Sequence, residues 1–304
     1  MGKEKLKIIF LGTPKFGAII LEELVKNNYK PVLVITTPDK PVGRKQILTP
    51  PPVKLVAQKY NIPVSQPEII ANLKSEILNL KSDLIVVAAY GQIIPKDILK
   101  TPRYGCLNIH PSLLPKYRGP SPIQATILNN DQQTGVTIIL MDEKIDHGPI
   151  LANSKFQIPN SKITYQELNR KLANLGVKLL IKTIPKWIKG KIKPKIQNEL
   201  KASYTKILKR EDGKIDWSKP AKEIERQIRA FHPWPGSFTF CKRGNKTFRV
   251  KILEADVSKT ENPQGLSVKC GRDYLVIKKL QPEGKKPMTA EEFLRGYHGC
   301  DFLS

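Results

Sequence analysis

Residues 108–119 read N-I-H-P-S-L-L-P-K-Y-R-G, with an amide and an imidazole two positions apart and prolines at 111 and 115 that forbid a helix. The preceding residues predict a strand over 105–110. On a strand, side chains two apart share a face, so Asn108 and His110 project together. The carboxyl end of a parallel strand is where open α/β sheets bind ligands. An amide donor beside a group that titrates near neutrality suits a reaction passing through an oxyanion. The same pair also fits a histidine satisfied locally by an asparagine, and pattern alone leaves the two readings even. A second polar cluster favours chemistry: M-D-E-K-I-D-H-G-P-I, residues 141–150, follows another apolar strand and can end at the same rim. It offers Asp142, Glu143 and Asp146, any of which could orient the His110 ring or accept a proton. Spacing does not choose among the three.

The elements that must hold these residues alternate. Strands are expected at 6–11, 31–36, 83–89, 105–110 and 134–141, and helices at 15–27, from Val53 onward, 68–80, 121–129 and 164–189. A Pro-rich basic loop spans 37–52. Continuous apolar strands alternating with helices imply a Rossmann-like, open, mainly parallel sheet covered on both faces. Residues 182–195 carry six lysines and two prolines and read as a helix end followed by a linker. Beyond about 205 the period changes to two, in FTFCKR, TFRVKILEADV, GLSVKC and DYLVIKKL, with one helix at about 219–231. That pattern predicts a small OB-like antiparallel β-barrel. The expected organisation is an α/β domain over 1–190, a basic linker over 191–206 and the barrel over 207–304.

Composition narrows the class. The apolar fraction of 40% fits a globular protein, and no apolar run reaches the roughly 20 residues that span a bilayer. The first residues show neither a cleavage site nor a myristoylation pattern, so a cytoplasmic location is expected. Four cysteines (106, 241, 270, 300) and four histidines (110, 147, 232, 298) are scattered without metal-ligand spacing. Neither a metal nor a disulfide is expected. The net charge of +25 points to a polyanion, nucleic acid being the commonest. Residues 191–304 hold 25 Lys+Arg against 14 Asp+Glu, a denser excess than the 27 against 13 of residues 1–190.

F-L-G-T-P-K-F-G, residues 10–17, occupies the place of a nucleotide loop but is not one. Ala18-Ile19 stand where a P-loop needs Lys-Ser/Thr, and Pro14 replaces the middle glycine of the dinucleotide fingerprint. A weak anion contact and a plain strand-to-helix turn remain equally open.

N-I-H-P-S-L-L-P-x-Y-R-G followed by D-x-G resembles the folate-dependent formyltransferases. The resemblance extends through F-L-G-T-P-x-F, P-D-K-P-V-G-R (38–44), A-Y-G (89–91), I-D-W-S near 215, I-R-A-F-H-P-W-P-G (228–236) and L-Q-P-E-G-K-K-P-M (280–288), nearly the whole chain. It implies 10-formyltetrahydrofolate as formyl donor and the α-amino group of initiator methionyl-tRNA as acceptor. It also implies a catalytic trio of Asn108, His110 and Asp146, and a folate site lined by Ser112, Leu113, Leu114 and Pro115. By the same resemblance Lys40, Arg44 and Lys45, in the 37–52 loop, grip the acceptor end of the tRNA, and the barrel holds its body through phosphates. His147 departs from the family pattern, which has Thr there. Phe231, Trp234 and Phe238 are candidates for base stacking, although packing is the stronger expectation for them. A monomer is expected.

Two rivals explain less. A formyltransferase for glycinamide ribonucleotide or an amino-sugar nucleotide would use the same 108–146 cluster but leave the basic loop and C-terminal part without purpose. A non-catalytic RNA-binding protein would explain the charge but not the polar rim.

Overall fold

In a computed structural model, residues 6–43, 46–159, 162–263 and 265–303 are described. In chain order the elements of the first part are β1 (Ile8–Gly12), α1 (Lys15–Lys26), β2 (Leu33–Ile35), β3 (Lys40–Val42), β4 (Ile47–Thr49), α2 (Pro52–Lys59), β5 (Val64–Ser65), α3 (Lys74–Asn79), β6 (Leu84–Ala88), α4 (Lys96–Leu99), β7 (Cys106–His110), α5 (Pro122–Leu128), β8 (Gln133–Leu140), β9 (Ile150–Gln157) and α6 (Tyr165–Ile188). There follow α7 (Ala221–Phe231), β10 (Ser237–Arg243), β11 (Lys246–Ser258), β12 (Ser267–Lys269), β13 (Tyr274–Pro282), β14 (Met288–Thr289), α8 (Ala290–Gly296) and β15 (Asp301–Leu303).

The first sheet runs β5-β2-β1-β6-β7-β8-β9. Pairings through β7 are parallel, whereas β8 and β9 are antiparallel. Every residue of β1, β6 and β7 is buried, as expected of strands covered on both faces. Unbroken apolar runs make β1 and β6 legible in the sequence, whereas β7 carries the polar Asn108 and His110. β9 has no counterpart in the sequence expectation: in ILANSKFQ, at the sheet edge, only Leu151 is buried and the later residues alternate half-buried and exposed, so its one inward face gives a weak signal. The 37–52 loop contains the hairpin β3–β4, with all six strand residues exposed. The helix expected over 68–80 is divided between a 3₁₀ turn at Ile70–Leu73 and α3.

The chain folds as two compact units. Residues 1–122, 133–157 and 169–206 form one, and 123–132, 158–168 and 207–304 the other. The segment 191–206, expected as a linker, therefore belongs to the first unit. Lys195 exchanges backbone hydrogen bonds with Ile150 at 2.7 and 2.9 Å, and Arg118 N–H donates to Ser203 O at 2.8 Å. Backbone pairing of this kind leaves no periodic trace in a Lys-rich sequence.

The second unit has an antiparallel sheet in the open order β12-β13-β11-β10-β15, with β14 added to β13, a half-barrel. Its core gathers Trp217, Ile224, Ile228, Val250, Ile252, Leu275, Ile277 and Phe293. Trp217 Nε1–H donates to Thr239 Oγ1 at 3.1 Å, which satisfies the indole inside that core. Contrary to the sequence expectation, Cys241 and Cys300 form a disulfide pair, with Cα atoms 5.8 Å apart. Register explains why spacing hid it: Cys241 on β10 lies opposite Phe302 on β15, which brings residues 59 apart in sequence together.

Candidate active site

β7 delivers Asn108 and His110 to the carboxyl end of the sheet, 8% and 4% exposed. The antiparallel β8 ends nearby, and the chain turns back through 142–148 before β9. Asp146 lies in that turn with φ +48°, a left-handed conformation unusual for a non-glycine residue. The Gly two residues on is required by space, because a Cβ at Gly148 would overlap the Leu140 carbonyl.

The turn decides which acid meets the strand pair. Asn108 Nδ2 donates to Asp146 Oδ1 at 3.0 Å, Gly119 N–H donates to Asp146 Oδ2 at 2.8 Å, and His110 Nδ1 lies 3.5 Å from the same Oδ2. His110 Nε2 faces the Tyr117 carbonyl at 2.8 Å. A carbonyl only accepts, so Nε2 carries hydrogen and Nδ1 is turned toward the carboxylate. A doubly protonated ring donates at both nitrogens. Each hydrogen of the Asn108 amide can make its own bond, and only one is used by Asp146. The cluster thus combines a carboxylate, an imidazole and an amide donor, as charge development on a carbonyl oxygen requires.

The other two acids point elsewhere. Asp142 Oδ2 accepts from His147 Nδ1 at 2.5 Å, and Asp142 Oδ1 accepts from Lys144 N–H at 3.0 Å. Glu143 pairs with Lys96 at 2.5 Å.

The loop after β7 is internally bonded. Leu114–Pro115 is cis, Ser112 is 1% exposed, and its hydroxyl donates to Lys116 O at 2.5 Å. Thr137 Oγ1, reaching across from β8, donates to Ser112 O at 2.7 Å and accepts from Leu114 N–H at 3.1 Å. Ser112 therefore shapes the loop with its side chain. Leu114 is buried, while Leu113 and Pro115 are half-buried. The glycines of the 10–17 loop also have a packing explanation, since a Cβ at Gly12 or Gly17 would come within 2.8 or 2.7 Å of Ala88 O. Lys40 is exposed on β3, and Arg44 and Lys45 lie outside the described residues. Beneath that hairpin, Asp39 accepts from Lys54 Nζ at 2.8 and 2.9 Å and from Gln66 Nε2 at 2.7 Å. Phe231 and Phe238 are buried, whereas Trp234 is 54% exposed.

Sequence reasoning missed Arg118, Gln197 and Glu199. The Arg118 guanidinium is fully buried. Its Nε and Nη2 donate to Gln197 Oε1 at 3.1 and 2.9 Å, and its Nη1 and Nη2 to Glu199 at 2.9 and 2.6 Å. Hydrogen bonding to Arg118 holds the Glu199 carboxyl below its usual range. Arg118 closes the opening motif and was within reach of inspection, but nothing in the sequence around Gln197 marks it.

The chain belongs to the formyl transferase family, a class of formyl-transferring enzymes: the "Formyl transferase" model matches residues 6–184 and the "Formyl transferase, C-terminal domain" model residues 207–298. Its similar relatives include the methionyl-tRNA formyltransferase of Bacillus velezensis, 44% identical over 95% of this chain and 94% of the relative. The Bacillus subtilis methionyl-tRNA formyltransferase is 41% identical over 96% and 95%. Among solved structures, an N-formyltransferase from Helicobacter canadensis in complex with folinic acid and dTDP-3-aminofucose superposes with a TM-score of 0.65 at 25% identity, over 90% of this chain and 98% of that one.

Proposed function

We propose that this enzyme transfers the formyl group of 10-formyltetrahydrofolate to the α-amino group of initiator methionyl-tRNA, for translation initiation. The observation that carries the reading is the meeting of Asn108, His110 and Asp146 at the end of β7, in a chain similar over 95% of its length to a methionyl-tRNA formyltransferase. The neutral amine attacks the formyl carbon, and a new C–N bond forms as the carbonyl π electrons move to oxygen. Collapse of that oxyanion breaks the bond to the folate N10, which leaves with the proton the amine has lost. The second Asn108 N–H donates to the oxyanion, the His110 ring adds positive charge beside it when protonated, and Asp146 opposes that charge and relays the proton. The folate rests on the loop of Ser112, Leu113, Leu114 and Pro115, whose half-buried Leu113 and Pro115 form the wall while the buried Ser112 and Leu114 hold its shape.

The acceptor is an RNA because of where the charge lies: residues 191–304 hold 25 Lys+Arg against 14 Asp+Glu. The 37–52 hairpin, with Lys40, Arg44 and Lys45, takes the acceptor end, and its root is pinned by Asp39. The test offers purified enzyme 10-formyltetrahydrofolate with methionyl-tRNA, glycinamide ribonucleotide or a dTDP-amino sugar, and identifies the formylated product by mass. Formyl-methionyl-tRNA is expected. Turnover confined to either small acceptor would overturn the reading.

A further inference from the structure

We infer that Gln197, oriented by Arg118, is a positioning residue for the reaction: it fixes the backbone of Asp146 and so aims the carboxylate at Asn108 and His110. The inference rests on the catalytic role proposed for Asp146. Left-handed backbone costs a non-glycine residue on the order of 1 kcal/mol, so something must hold Asp146 there. The strap 195–204 does. Gln197, 5% exposed, donates through Nε2 to the carbonyls of both Asp146 and Gly148 at 2.8 Å each, gripping the turn on either side of His147.

Chemistry fixes the amide in one orientation. Arg118 offers only donors, so it must meet the Gln197 oxygen, and the two backbone carbonyls only accept, so they must meet its NH2. Arg118 is itself held by Glu199 and by the Tyr204 hydroxyl, which it meets at 3.0 Å. The same Glu199 lies 3.5 Å from His147 Nε2, whose Nδ1 is bound by Asp142. The His147 side chain thus lies between the turn's Asp142 and the strap's Glu199. Strand β7 supplies Asn108 and His110 from the rigid sheet, whereas Asp146 comes from a loop. The β8–β9 pairing holds the two ends of that loop, and the strap holds its middle.

Gln197→Met keeps side-chain length and removes both donors. Gln197→Glu keeps size and the Arg118 contact but sets a carboxylate oxygen against two carbonyls. We expect either change to lower kcat about 10- to 100-fold, the range in which small misplacements of a reacting group fall, with KM for folate and for tRNA within about twofold. In an Asp146→Asn background the same changes should cost less than about twofold, because the group they position is already disabled. A structural readout is independent of the substrate: the Gly119 amide, which donates to Asp146 Oδ2, should lose hydrogen-exchange protection in both variants while the β1 and β6 amides keep theirs. Undiminished kcat in Gln197→Glu, an equal loss in the Asp146→Asn background, or unchanged Gly119 protection would each overturn the inference. A parent enzyme inactive on methionyl-tRNA would instead count against the proposed acceptor, and the Gly119 measurement would still decide the role of Gln197.

Discussion

Replacing Asp146 by Asn changes one atom's chemistry without changing size, and the geometry sets the cost. Both carboxylate oxygens now face donors: Asn108 Nδ2 at 3.0 Å on one side, Gly119 N–H at 2.8 Å on the other, with His110 Nδ1 at 3.5 Å. An amide must turn its NH2 toward one of these, so one charge-assisted hydrogen bond is lost, worth about 1.5–3 kcal/mol. The negative charge opposing the imidazolium is lost as well. Together these amount to roughly 3–4 kcal/mol of transition-state stabilisation, the scale of a deleted oxyanion donor. At 1.36 kcal/mol per tenfold, kcat should fall about 100- to 1000-fold. Asp142→Asn and Glu143→Gln are the internal controls. Asp142 serves His147, and Glu143 makes an exposed ion pair with Lys96, of the kind worth about 0–1 kcal/mol. Each should retain turnover within about threefold of the parent. The assay is single-turnover formylation of methionyl-tRNA at saturating folate donor, beside thermal unfolding to show that all three variants fold. Should Asp142→Asn prove more damaging than Asp146→Asn, the assignment of the acid would be wrong.

His110→Ala should lower turnover roughly 100-fold or more while leaving tRNA binding within twofold; turnover within about threefold of the parent would remove the ring from the mechanism. Lys251 sits half-buried, its ammonium pushed below the usual range by burial and by Arg249 and Arg210. If that basic face meets phosphates, Lys251→Gln should reduce the slope of log affinity against log salt by about one and leave kcat at saturating tRNA unchanged; an unchanged slope refutes the contact. Burial pushes the Cys106 thiol up to about 12 from an ordinary 9.0. Because the folded value is the raised one, this group's contribution to stability is complete below about pH 9 and is lost as pH climbs toward 12. Native enzyme at pH 8.5 should accordingly show no iodoacetamide labelling at Cys106, a residue 1% exposed, while urea-unfolded enzyme labels readily.

The sequence by itself determined the α/β first part and the β-rich second, because burial on both faces of a parallel strand demands the unbroken apolar runs of β1 and β6. It also placed Asn108 and His110 on one face at a strand end, which needs only the two-residue period of a strand. Three acids within five residues were beyond it. A turn's backbone angles decide which of them faces the strand, and those angles depend on contacts with residues outside the turn, such as Leu140 and Gln197. The tertiary structure chose Asp146 through its left-handed φ and the close approach of Gly148 to Leu140. It also turned the supposed linker into a strap whose Gln197 and Glu199 reach the buried Arg118, across 79 and 81 residues of chain. The same reason holds for Cys241 and Cys300: strand register, a property of paired backbones, brought them together. Periodicity records which faces are apolar, and polar contacts between distant loops leave no period to read.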